Sequence, residues 1–216
     1  MYKAVLFDMD GTLVDSVGDL AEATNYALKK HGYETRPTEA YGKFAGNGVY
    51  VMIERALKPV TVSDSVLHEL RDDFFDYYSN HCTVNTTVYN GISELVGSLK
   101  AAGIKVGCIT NKVEPVAKDI INTFFGGMDK VYGQTDGVPN KPDPMLTLRA
   151  LSELGIKPQE CLFVGDSEVD MQTACAAGCV PVGVLWGYRT REILEEAGAK
   201  YIICNADEVL KIAKRD

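Results

Sequence analysis

The sequence predicts an α/β protein: a doubly wound, Rossmann-like parallel sheet, interrupted after its first strand by an inserted helical cap domain. Three observations predict it. A short apolar run, "KAVLF" from Lys3 to Phe7, stops abruptly at Asp8. From Asn90 onward, strand-like apolar runs alternate with helical stripes. Between these regions, over residues 16–84, apolar residues recur only at helical spacing. Parallel strands need long crossovers, and helices supply them, so strand-helix alternation points to a parallel sheet covered on both faces. The predicted core is therefore 1–15 with 85–216, and the predicted cap is 16–84.

The elements follow in order. After the first strand come three stripes: Val17, Leu20, Ala21, Thr24 and Leu28; then Val49, Met52, Ile53, Ala56 and Leu57; then Leu67, Leu70, Phe74 and Tyr78. Each has the three-to-four-residue spacing of an amphipathic helix. A helix from Ile92 to Ala102 ends at Gly103, and the strand "IKVGCI" follows, with a helix from about Glu114. A short strand sits near Val131, and Asp143-Pro144 reads as the cap and first position of the next helix. The strand "CLFVG" ends at Gly165, a helix ends near Gly178, and "PVGVLW" forms a further strand before two smaller units close the chain.

Composition narrows the function. Of 216 residues, 46% are hydrophobic and 24% charged, which is enough to bury a core and too ordered a mixture for general disorder. The net charge of -8 disfavours a broad nucleic-acid face and an anionic lipid surface. No apolar run reads as a secretory signal or a membrane span. The six cysteines (Cys82, Cys108, Cys161, Cys175, Cys179, Cys204) form no C-x-x-C pair, and the expectation is buried, reduced thiols in a cytoplasmic protein. The three histidines lack zinc-ligand spacing.

In open parallel sheets ligands bind beyond the carboxyl ends of the strands, so the residues that follow each strand matter most. After the first come Asp8-Met9-Asp10-Gly11-Thr12; after "GCI" come Thr110 and Asn111; a loop after the third strand carries Lys141-Pro142-Asp143-Pro144; after "CLFVG" come Asp166, Ser167 and Asp170. Singly, each is an ordinary turn, cap or surface residue. Together they gather carboxylates, a hydroxyl and an ammonium at one sheet edge. Clustered carboxylates repel one another unless a cation joins them, and Asp8 and Asp166 offer hard oxygens suited to Mg²⁺. Lys141 and the Thr110 hydroxyl can hold phosphate oxygens, Asp8 can serve as a carboxylate nucleophile, and Asp10 can move the proton.

These segments resemble the haloacid dehalogenase superfamily: "DMDGTLVDS" its first motif, "ITN" its second, "KPDP" its third and "GDSEVD" its fourth. The resemblance implies nucleophile Asp8, acid/base Asp10, phosphate ligands Thr110 and Lys141 with Asn111 beside them, and Mg²⁺ held by Asp8, Asp166 and the Asp10 carbonyl. Asp170 would stand on the metal side. "AGNGVYVMIERAL" and "WGYRTREIL" resemble the phosphoglycolate phosphatase branch. Related phosphatases often carry an arginine shortly before such a glycine pair, where this chain has Gly42-Lys43. Lys43, Asn47 and Arg55 are the candidates for the substrate's non-phosphate end, and 2-phosphoglycolate is the favoured substrate. The implied partner is a small phosphorylated metabolite, with no nucleic acid and no membrane, in a monomer or homodimer.

Other readings stay open at this point. A sugar phosphomutase shares every core motif. A dehalogenase would have no use for Asp10, because a halide leaves without a proton. A receiver-type phosphoacceptor domain uses similar groups but places adjacent acids after its first strand, whereas here they are spaced D-x-D. A catalytically dead binding protein predicts a lost motif residue, and none is lost.

Overall fold

A computed structural model describes residues 1–215. The chain forms two compact units, Met1–Val14 with Val88–Asp216, and Asp15–Thr87. In the first, β1 (Ala4–Phe7) is buried along its whole length, as a central parallel strand covered on both faces must be. The chain leaves through β2 (Val14–Asp15) and returns through β3 (Thr87–Val88).

The second unit is helical: α1 (Val17–Lys30), α2 (Tyr41–Phe44), α3 (Val49–Leu57) and α4 (Asp64–His81). The predicted stripes supply its core. Leu20, Ala21, Thr24 and Leu28 of α1 are buried, as are Met52, Ile53, Ala56 and Leu57 of α3 and Leu70, Phe74 and Tyr78 of α4. Polar ties add direction. Asp73 of α4 accepts from Lys30 Nζ at 2.5 Å and pairs with His31 Nε2 at 2.8 Å. Asn25 Oδ1 accepts from the Arg36 main chain at 2.9 Å and from the Tyr41 hydroxyl at 2.7 Å.

The first unit continues with α5 (Ile92–Ala101), β4 (Lys105–Val113), α6 (Glu114–Phe125), β5 (Lys130–Gln134), α7 (Met145–Leu154), β6 (Cys161–Gly165), α8 (Glu168–Ala177), β7 (Val180–Val184), α9 (Arg191–Glu196), β8 (Tyr201–Ile203) and α10 (Asp207–Ala213). Its six strands lie in the order β5-β4-β1-β6-β7-β8, and all five neighbouring pairs are parallel. The predicted doubly wound α/β core is therefore present. On one face, Ala4, Leu6, Ile109 and Phe163 pack against Leu146, Ala150 and Leu151 of α7 and Ala174 and Ala177 of α8. No helix among the described residues is long and apolar enough to cross a membrane.

Three local expectations need correction. The strand predicted to end at Ile109 runs on to Val113, through the buried polar residues Thr110, Asn111 and Lys112. Its pairing with β5 shifts register between Ile109 and Val113, an irregularity of the kind that re-aims side chains beside sites. α7 starts at Met145 with Pro144 as its N-cap, while Asp143 Oδ1 still accepts the Met145 N–H at 2.9 Å. Cys175 and Cys204 are exposed; only Cys82, Cys108, Cys161 and Cys179 are buried, and no disulfide forms among the described residues.

The buried Asp19 of α1 fastens the end of the helical unit. It accepts from the main chains of Asn85 at 2.7 Å and Thr86 at 2.9 Å, and from the Thr86 hydroxyl at 2.7 Å. Asp19→Ala removes all three acceptor contacts and strands buried donors. Urea unfolding should show a loss of about 3 kcal/mol, since charged hydrogen bonds and orphaned donors each weigh on the order of 1–3 kcal/mol.

Candidate functional site

The sheet order reverses beside β1: the chain builds outward through β4 and β5, then returns to the other flank with β6, β7 and β8. Such a switch opens a crevice at the carboxyl edge. Asp8 follows β1 there, with β4 on one side and β6 on the other.

One ammonium organises the centre. Lys141 Nζ lies 2.7 Å from Asp8 Oδ1 and 2.6 Å from Asp170 Oδ1, with all three side chains buried. The backbone of Lys141 is held in turn by Asn111, whose Oδ1 accepts the Lys141 N–H at 2.8 Å and whose Nδ2 donates to the Lys141 carbonyl at 3.2 Å. Asn111 thus acts on the position of the lysine. Thr110 is buried at the end of β4, and its Oγ1 accepts the Lys112 N–H at 3.1 Å.

Asp170 sits in the first turn of α8, where it closes a capping box. Ser167 N and Oγ donate to Asp170 Oδ2 at 3.1 and 2.6 Å, while Ser167 Oγ accepts the Asp170 N–H at 3.3 Å. Asp166 is fixed from two sides: Tyr188 N–H donates to its Oδ2 at 2.7 Å, and Thr12 Oγ1 approaches its Oδ1 at 3.4 Å. Asp8, Asp166 and Asp170 are the one group among the described residues whose carboxylate oxygens could hold a metal ion together, all within 4.8 Å of one another. The Asp10 carboxylate points elsewhere, with Oδ1 3.1 Å from Lys112 Nζ.

Missing side chains let the backbone close around these carboxylates. A Cβ on Gly11, whose φ is 87°, would lie 2.4 Å from Asp166 Oδ2. One on Gly187 would meet Asp166 Cβ at 2.3 Å. The Gly187 loop is anchored by Trp186 Nε1, which donates to the Thr12 carbonyl at 3.1 Å.

Burial and mutual repulsion raise the proton affinity of these acids. Desolvation, followed by the charge of Asp170, pushes Asp8 up to about 7 from its ordinary 3.8, although Lys141 pulls the other way. Asp166 is pushed well above the usual carboxylate range, first by burial and then by Asp170 and Asp8. For Lys141, burial works against the charged form, but Asp170 and Asp8 outweigh it and raise its pKa. The cluster is thus short of positive charge.

The remaining candidates lie in the helical unit. Lys43 is exposed on α2. Arg55 of α3 braces the loop before its own helix: Nη1 donates to the Phe44 carbonyl and Nη2 to Asn47 Oδ1, each at 2.9 Å. Glycines at 46 and 48, with φ of 108° and 87°, shape that loop. The sequence motifs include Thr12, Ser167 and Tyr188 without giving any of them a role, and Lys112 lies just outside them. Lys112 directly follows "ITN", so adjacency was an available signal. Tyr188 acts through its main chain, which leaves no mark on side-chain chemistry.

The chain resembles known proteins along most of its length. Residues 5–184 match the family model described as haloacid dehalogenase-like hydrolase. A phosphoglycolate phosphatase of Colwellia psychrerythraea is 33% identical, covering 99% of this chain and 97% of that protein. One from Aquifex aeolicus is 33% identical over 86% of each. The crystal structure of a predicted phosphoglycolate phosphatase from Haemophilus somnus superposes with a TM-score of 0.90 at 28% identity, covering 99% of this chain and 98% of that one.

The raised Asp8 has a measurable consequence. Its folded-state pKa of about 7 exceeds the unfolded 3.8, so between these values the folded state holds a proton that the unfolded state has lost. That stabilisation is complete below the unfolded value and is lost as pH rises through the folded one. Chelator-treated protein should therefore melt at progressively lower temperature as pH rises from about 4 to about 7. Asp8→Asn should flatten part of that slope.

Proposed function

Because the chain belongs to the haloacid dehalogenase-like hydrolase family, we propose that it is a Mg²⁺-dependent phosphatase that works through a phosphorylated Asp8. The observation that carries this reading is the buried trio Asp8, Asp166 and Asp170, with oxygens within 4.8 Å, faced by the Lys141 ammonium. The donor set fits the ion. Oxygens are the preferred ligands of Mg²⁺, which takes few carboxylates and keeps its waters. Lys141 pairs with Asp8 and Asp170, and Lys112 with Asp10, while Asp8 and Asp166 are still driven toward their protonated forms by burial and by neighbouring carboxylates, the setting in which a divalent cation is favoured. Asp8 and Asp166, with the Asp10 carbonyl, would hold it, and Asp170 would stand beside them. Bound there, it would neutralise charge on the phosphoryl oxygens.

The chain's own groups supply the remaining steps. A carboxylate oxygen of Asp8 attacks phosphorus, and the bond to the ester oxygen breaks. Asp10 gives its proton to that leaving oxygen. Asp10, now a carboxylate, takes a proton from water, and the water oxygen attacks the aspartyl phosphate. Inorganic phosphate leaves and Asp8 is restored. Thr110 and Lys141 orient the phosphoryl oxygens, and Asn111 holds Lys141 in register. Catalysis of this kind is chiefly positioning and charge neutralisation.

The substrate we favour is 2-phosphoglycolate, for which two of the compared proteins are named. In this reading the helical unit is a cap that closes over the substrate and excludes water. The loop at 46–48, stiffened by Arg55, would present main-chain amides, with Lys43 and Asn47 nearby in sequence, to a carboxylate. A sugar would require several placed polar groups instead.

Purified protein with Mg²⁺ should release phosphate from 2-phosphoglycolate and lose activity on exhaustive chelation. Asp8→Asn should abolish turnover. Asp10→Asn should slow it by ~10²–10⁴-fold, the usual weight of general acid-base help, and should accumulate phosphate on Asp8, visible as added protein mass. Full activity after chelation, or in Asp8→Asn, would reject the mechanism. For the cap, Lys43→Ala and Asn47→Ala should change the ratio of rates on phosphoglycolate and on a phosphate ester without a carboxylate. An unchanged ratio assigns selection to other residues.

A further inference from the structure

The site contains a second buried lysine. Lys112 exposes only 5% of its side chain, and its Nζ lies 3.1 Å from Oδ1 of Asp10, itself 17% exposed. Burying an ammonium is costly unless it is paired, so this contact accounts for its placement. The chain is arranged to deliver it. β4 loses its regular register between Ile109 and Val113, and the Lys112 N–H is tied to Thr110 Oγ1 at 3.1 Å. On the neighbouring strand, Gly133 makes room: a Cβ there would lie 2.4 Å from the Lys112 carbonyl oxygen.

We propose that Lys112 is the positioning residue for Asp10, holding its carboxyl group where it can meet the leaving oxygen and then the attacking water. The two lysines divide the reacting acids between them. Lys141 holds Asp8 and Asp170, and Lys112 holds Asp10. A proton-transfer group displaced by an ångström can forfeit on the order of 10²-fold in rate, so a short side chain on a turn gains from a charged anchor. This inference rests on the proposed acid-base role of Asp10.

The test is a kinetic cycle on the intact protein with Mg²⁺, using Asp10→Asn, Lys112→Met and the double variant. If Lys112 acts through Asp10, Lys112→Met lowers kcat on an alkyl phosphate by ~10–10²-fold with KM nearly unchanged, as expected for loss of part of the acid-base help. Phosphorylation of Asp8 by acetyl phosphate, whose leaving group needs little acid, should change by less than about threefold, with phosphoprotein accumulating because its hydrolysis also uses Asp10. In the Asp10→Asn background the lysine substitution should add nothing, because coupled residues are not additive. A purely structural lysine would slow both donors alike and add its full loss in both backgrounds, and that result overturns the inference. A phosphate-binding lysine would raise KM for both donors, which overturns it equally. Unimpaired Asp10→Asn would reject the underlying reading instead, a separately visible outcome. Should Lys112→Met misfold, Lys112→Gln keeps a donor for Asp10 and should show the same non-additivity with a smaller loss. Additive losses there overturn the inference as well.

Discussion

The contact on which the rest depends is the Lys141 ammonium wedged between Asp8 and Asp170. Neither carboxylate is tolerable alone at that depth, and burial already drives Asp8 toward its neutral form. Without the lysine, a buried pair of acids would protonate or repel. With it, the three groups gain mutual attraction where water is scarce and the effective dielectric is low. The lysine reaches this position from a loop, so its backbone must be fixed. The paired hydrogen bonds to Asn111 do that, tying the loop after β5 to the end of β4.

The sheet explains why the partners converge. β1, β4 and β6 are immediate neighbours, so the residues that follow them meet without any long side chain. The crowding that results is relieved by glycine. Gly11 and Gly187 press backbone against Asp166 at distances no Cβ could occupy, and Gly165 does the same to Asp170, whose Cβ would stand 2.2 Å away. Close packing of this kind excludes solvent from the carboxylates, which raises their proton affinity and increases their demand for a cation. Fold, steric detail and electrostatics therefore act in one direction.

Much of this was legible in the sequence. A strand that stops at Asp8, stripes at helical spacing and polar groups behind successive apolar runs are local patterns, and local patterns carry fold class well. The meeting of Asp8 and Asp166 followed from strand ends, and Asp170 from its place four residues beyond Asp166 together with the family resemblance. What escaped the reading depends on distance in sequence or on the main chain. β4 continues through Thr110, Asn111 and Lys112 because those polar residues are buried at the site, whereas an apolar run predicts a strand only as far as Ile109. Arg55 spends two of its donors on Phe44 and Asn47, a loop-bracing geometry that spacing does not reveal. Cys175 shares a small-residue stretch with buried neighbours yet faces outward, because a weakly amphipathic helix does not declare its buried face.

The charge pattern reconciles an acidic chain with an anionic substrate. A net charge of -8 spread over the surface would repel a phosphate ester at long range, but ionic screening confines that effect to roughly 10 Å at 0.1 M salt. Inside the crevice the balance is local. Asp10 is engaged by Lys112 and Asp8 by Lys141, so each acid of the D-x-D pair meets its own cation before a substrate arrives. Two acids two residues apart thus sit in different surroundings. Asp8 is buried against Asp166 and Asp170, whereas Asp10 keeps partial exposure. The difference arises from where each lysine originates, Lys112 from within β4 and Lys141 from the loop after β5, so the pairing is a property of the sheet as much as of the motif.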